Sequence, residues 1–140
     1  MLDSGAFSVW RGGGDVCLAD YVKYCEEHSH VAHYVNLDVL PGDVDKQISN
    51  TEKACQKSWE NYQTMLERLP TKKVLPVFHR FENFRWLEKY LKLGIKYIGI
   101  GALANSDDPS VKVSWLQSLK SLLLNADGTS VVKVPGFGVA

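Results

Sequence analysis

Residues able to do chemistry recur in one kind of place, directly after short apolar runs. Leu2 is followed by Asp3-Ser4-Gly5, Leu37 by Asp38, and Phe78 by His79. Ile100 gives way to Gly101, and the run 131–134 leads to Gly136-Phe137-Gly138. A carboxylate half-buried at a strand end can have its pKa raised and then trade protons with a heterocycle or a sugar oxygen. A second carboxylate accepts two N–H bonds from the edge of a nucleobase, which a hydroxyl cannot match. Glycines at 99 and 101 let backbone amides come close to a planar ligand. Asp3, Asp38 and His79 also form an acceptable ligand set for a divalent metal, but no short-spaced ligand motif accompanies them. A plainer alternative is that Asp3 and Asp38 cap the loops or helices that follow, where Asp is common.

The elements that must hold these residues alternate between two periods. Strand-like runs occur at 34–37, 74–78, 97–100 and 131–134, and Met1-Leu2 resembles the end of a further strand. Between them, Leu18, Tyr21, Val22 and Cys25 share one helical face, and Cys55, Trp59, Tyr62, Leu66 and Leu69 step along a longer helix. Phe84, Leu87 and Leu91 mark a third helix, ended by Gly94; Leu116, Leu119 and Leu123 mark a fourth, capped by Asp108 with Pro109 in its first turn. The spacing therefore predicts an α/β fold of about five strands and four helices, in which parallel strands are joined by helical crossovers. In such a sheet every carboxyl end lies at one edge. Asp3, Asp38, His79, Gly99 and Gly101 are then expected to converge on one site.

Composition sets the outer limits. Among 140 residues, 16 Lys and Arg balance 16 Asp and Glu, which argues against a domain that grips nucleic acid by bulk charge alone. With 45% hydrophobic and 23% charged residues, the chain is expected to form one globular domain over 1–140. No apolar stretch approaches the roughly 20 residues of a membrane span, and none reads as a secretory signal, so a cytoplasmic location is expected. Cys17, Cys25 and Cys55 have no CxxC spacing and read as buried small hydrophobes in a reducing compartment rather than as a disulfide framework or zinc cluster. His28, His30 and His33 fall where the first helix gives way to a strand, at the edge opposite the expected site, and read as solvated residues near a helix C-terminus. Arg85, Lys89, Lys92 and Lys96 read as the wet face of the third helix, and secondarily as a phosphate-binding surface. The four tryptophans read as packing residues, and Gly12-Gly13-Gly14 as a loop without phosphate-cradling spacing.

The strand-end segments carry a resemblance. Leu2-Asp3-Ser4-Gly5-Ala6-Phe7-Ser8 resembles the Asp-Ser-Gly-Gly-Phe-Gln segment of tRNA-guanine transglycosylases. It is still more similar to their relatives that insert 7-deazaguanine bases into DNA, phage-encoded ones included. Asn36-Leu37-Asp38-Val39-Leu40-Pro41-Gly42, Pro76-Val77-Phe78-His79 and Tyr97-Ile98-Gly99-Ile100-Gly101 follow in the family's order. Val134-Pro135-Gly136-Phe137-Gly138 resembles the next strand end, with Pro135 where a His is often found.

The resemblance implies a TIM-type barrel that exchanges a guanine-type base at a glycosidic bond in tRNA or DNA. Asp3 would be the acid/base carboxylate, while Ser4, Asp38, His79, Gly99 and Gly101 would bind the base. His79 stands where the tRNA enzymes carry a base-binding Gln, and Gly101 where a glycine backbone contacts the base carbonyl. Ser8 replaces a Gln, which places the substrate preference of the tRNA enzymes in question. The family's nucleophilic Asp and its zinc cluster come later than Ala140, so no cofactor is expected in this chain. A complete barrel needs about 250 residues, so a barrel fragment, self-association and slow or absent base exchange are expected. A nucleobase-binding module without turnover and a purely structural barrel fragment are the alternatives.

Overall fold

The computed structural model describes residues 17–40, 51–80, 82–101 and 108–134. They form a mixed α/β structure whose strands are short and paired in parallel. The chain divides into two compact units, Met1–Pro76 and Val77–Ala140. No helix among the described residues is long and apolar enough to cross a membrane.

In the first unit, α1 (Leu18–Glu27) buries Tyr21, Val22 and Cys25 of the face its sequence spacing predicts, while Leu18, in its first turn, is half-buried and Cys17, expected buried, is exposed just ahead of the helix. It ends at His28, whose Nδ1 lies 2.7 Å from the Tyr24 carbonyl oxygen. β1 (Tyr34–Val35) follows, and α2 (Thr51–Arg68) crosses to β2 (Val74–Leu75), which pairs with β1 in parallel. The Tyr21 hydroxyl donates to the Val35 carbonyl at 2.6 Å, and the Tyr34 hydroxyl donates to the His28 carbonyl at 3.0 Å. These bonds give the phenol groups partners where their rings are buried. α2 packs Cys55, Trp59, Tyr62 and Met65 inward. Leu66, expected on that face, is half-buried instead, because Met65 takes the inner position and consecutive helical residues are turned by about 100°. Arg68 forks onto both carboxylate oxygens of Glu26 at 3.0 Å, tying the ends of the two helices.

In the second unit, β3 (Val77–His79) pairs in parallel with β4 (Gly99–Gly101), joined through α3 (Phe84–Leu91). Pro76 has no N–H for a ladder and divides the expected strand 74–78 into β2 and β3, which take different partners. Asn83 caps α3 by accepting the Arg85 amide at 3.0 Å, and Gly94 closes the helix end at φ +73°. α3 buries Trp86, Leu87 and Tyr90, while Arg85, Lys89, Lys92 and Lys96 are all exposed. Arg85 and Lys89 lie over the Trp86 ring at 5.4 and 4.8 Å.

The fourth expected helix is in two pieces, α4 (Pro109–Ser118) and α5 (Lys120–Leu123), with Leu119 buried at the break. Asp108 Oδ1 accepts the Ser110 amide at 2.8 Å, and Pro109 occupies the first turn, as expected. Leu116 was expected to face inward and is 43% exposed. Trp115 is the inward residue, stacked on Phe78 at 6.1 Å and 11°, and the helical turn then carries Leu116 outward. The run 131–134 is not a strand of its own: it joins through a parallel bridge between Tyr97 and Lys133, with Ile98 N donating to Lys133 O at 3.0 Å. The expected strand at 97–100 accordingly begins its ladder only at Gly99. The expected strand at Met1-Leu2 lies outside the described residues.

Candidate functional site

Each unit ends its parallel strand pair in buried polar side chains. In the first, β1 continues one step as Asn36 N donates to Leu75 O at 2.8 Å, and the ladder then stops. The backbone groups beyond it need other partners. α2 supplies them from its buried face: Asn61 Nδ2 donates to Leu37 O at 2.9 Å, and Val39 N donates to Ser58 Oγ at 2.8 Å. Asn36 is fully buried, and its Nδ2 donates both to Ser58 O at 3.0 Å and to Asp38 Oδ1 at 3.2 Å. Both of those partners are acceptors, so the amide can stand in only one orientation. Asp38 is thus held at a strand end, 9% exposed, with one carboxylate oxygen engaged by Asn36.

In the second unit, the strand-end residue is His79. Its register partner on β4 is Gly101, and Gly99 sits opposite Val77. Alternation places Val77, His79, Gly99 and Gly101 on one face of the pair and Phe78 and Ile100 on the other. The Phe78 face packs on Phe84 and Trp115. On the opposite face the His79 ring lies over Gly101: a Cβ placed there would be 2.7 Å from His79 Cδ2 and 3.1 Å from Nε2. Any side chain there would force the ring to move. The chain then turns back, with Glu82 N donating to His79 O at 2.9 Å, and this returns the Glu82 carboxylate to His79 Nδ1 at 2.7 Å. Both side chains are buried, at 9% and 5% exposure. The arrangement is a hydrogen-bonded imidazole–carboxylate pair at the carboxyl end of parallel strands. Such a pair can hold or relay a proton, or present a ring nitrogen of fixed character to a ligand.

Of the site residues expected from sequence, His79 and Gly101 are in direct apposition, and Gly99 lies on the same strand face. Asp38 occupies the strand end of the first unit. Asp3 and Ser4 lie outside the described residues, as do Gly136, Phe137 and Gly138. Sequence reading missed Glu82, Asn36, Ser58 and Asn61. Glu82 had one signal, its three-residue spacing from His79; Ser58 and Asn61 had another, polar side chains on the apolar stripe of α2. Among the described residues no group of three or more His, Cys, Asp or Glu side chains could hold a metal ion. Comparison of the chain with protein-family models, with curated proteins and with solved structures returns no match.

Proposed function

We propose that this chain recognises a guanine or 7-deazaguanine base and belongs to base-exchange chemistry of the transglycosylase type, on tRNA or DNA. The parallel βα pairs are then read as part of a TIM-type barrel. The observation that carries the reading is the His79–Gly101 apposition. A residue singled out from its strand-end motif is buried, braced by Glu82 and set against a glycine whose replacement would push on its ring. A site that reads a planar heterocycle needs a fixed polar group beside backbone of close approach, and that strand end offers both. In this reading Asp38 accepts N–H donors of a base, and Asp3 is the carboxylate that exchanges protons during glycosidic cleavage.

The test is calorimetric titration of the chain with guanine, 7-deazaguanine and adenine, followed by incorporation of radiolabelled guanine into tRNA and DNA. Binding of the two guanine-type bases, but not adenine, is expected. Incorporation abolished by Asp3→Asn would assign turnover to this chain. Equal binding of adenine, or no binding of any base by the folded chain, would overturn the reading.

A further inference from the structure

We infer that Glu82 is a positioning residue that fixes the neutral His79 imidazole with its proton on Nδ1, making Nε2 a hydrogen-bond acceptor that selects a ligand bringing an N–H or O–H donor. The ligand half of this inference rests on the nucleobase reading above; the tautomer half does not.

An imidazole has two chemically distinct nitrogens, and the partner of one decides the role of the other. A carboxylate only accepts, so a 2.7 Å contact between Glu82 Oε1 and His79 Nδ1 places the proton on Nδ1. The lone pair of the neutral ring is then on Nε2. This contact is built rather than incidental. The turn from His79 to Glu82 is closed by its own backbone hydrogen bond at 2.9 Å, and Asn83 at once caps α3, so the Glu82 backbone is anchored on both sides. Burying a carboxylate is costly unless it is paired. A serine hydroxyl or a backbone carbonyl would satisfy Nδ1 without that cost, and the use of a carboxylate implies a demand for a strongly accepting partner.

Gly101 supplies the second half. It is the register partner of His79, and a Cβ there would stand 3.1 Å from Nε2. The glycine therefore keeps side-chain bulk away from the ring edge that carries the acceptor. A glutamine at position 79 could present either a carbonyl or an amide by rotating its end group, and would accept or donate as the ligand required. The braced imidazole cannot rotate in this way without breaking the Glu82 bond. A ligand with a donor in that place is favoured, and one with an acceptor there is rejected.

The experiment is 15N-detected NMR of the histidine rings in the full chain near neutral pH, with His79 assigned by His79→Gln, alongside guanine affinities for the wild type, Glu82→Ala and Glu82→Gln. The expected result is a protonated Nδ1 and an unprotonated Nε2 in the wild type. Glu82→Ala should lose that tautomer preference and about tenfold or more in guanine affinity, since a buried acceptor–donor match has been removed. Glu82→Gln, which can still accept from Nδ1 through its amide oxygen, should retain more of both. A wild-type proton on Nε2, or on both nitrogens, overturns the inference even if Glu82→Ala proves too unstable to study. A shifted tautomer with unchanged guanine affinity overturns the selection it assigns to Nε2. No guanine binding by the wild type overturns the nucleobase reading and the ligand half, and is distinguishable because the tautomer is read without ligand.

Discussion

Replacing Gly101 with alanine should strain the second unit through one identifiable contact. The new methyl would lie 2.7 Å from His79 Cδ2, well inside the distance that carbon atoms tolerate, and 3.2 Å from Val77 Cγ1. Val77 can give a few tenths of an ångström, but the His79 ring is held by Glu82 at 2.7 Å and can retreat only by lengthening that bond. Overpacking of this kind costs about 1–3 kcal/mol. Loosening a buried hydrogen bond to a charged group adds roughly 1–2 kcal/mol. Gly101→Ala is therefore expected to lower unfolding stability by about 2–5 kcal/mol in urea, with little change in the slope. A double-mutant cycle with His79→Ala isolates the cause, because removing the ring removes the main clash but leaves the Val77 contact in both backgrounds. A coupling energy of about 1–3 kcal/mol is expected for residues in direct contact. Equal costs of Gly101→Ala with and without the ring would refute the apposition of His79 and Gly101.

Ser58→Ala should cost about 1–2 kcal/mol, because the Val39 amide loses the hydroxyl that accepts it at 2.8 Å; an unchanged urea midpoint would show that this staple carries no stability. Burial pushes the Tyr62 phenol up to about 12 from its ordinary value of 10.0. The unfolded chain then loses that proton first, so stability present below pH ~10 falls by about 2–3 kcal/mol as pH rises through the folded pKa. Tyr62→Phe should flatten that decline, and parallel stability–pH curves for the two proteins would refute the assignment. Cys17 is exposed, while Cys25 and Cys55 are buried and burial pushes the Cys25 thiol up. A thiol-reactive disulfide reagent should therefore modify one cysteine rapidly and two only on unfolding. Asp38→Asn should weaken guanine binding by about tenfold, since an acceptor facing N–H groups becomes in part a donor; unchanged calorimetric affinity would remove Asp38 from base recognition.

The first three helices were legible from sequence through their periodic apolar stripes, with Gly94 marking the end of the third, and Asp108 marked the start of the fourth, whose expected stripe is not buried in α4. Strand identity was legible, but strand extent was not. Pro76 sits within an apolar run that reads as one strand, and only the missing N–H reveals the division. In 131–134 the β-branched residues announce a strand, yet pairing depends on a partner that the local sequence does not specify, and a single bridge results. His79 and Gly101 were legible through their position after strands. Glu82 was not, because a glutamate in a loop has the same appearance whether it faces water or an imidazole. Ser58 and Asn61 were hidden for the opposite reason. They interrupt an apolar face, and the carbonyl and amide groups they satisfy lie about 20 residues earlier in the chain, a separation that helical periodicity does not register.

The two parallel pairs differ in how much chain each must gather before it can form. Tyr34 meets Val74 across about 40 residues, whereas Val77 meets Gly99 across about 22, and loop-closure entropy alone favours the shorter by about 0.5 kcal/mol. The shorter crossover also contains α3, an element with its own cap and stop, so much of its order is local. Ribosomal synthesis delivers the pairs in the reverse order, since β1 and β2 both emerge before β3. In refolding of the finished chain the shorter pair therefore holds a small advantage, whereas during synthesis the longer pair is available first.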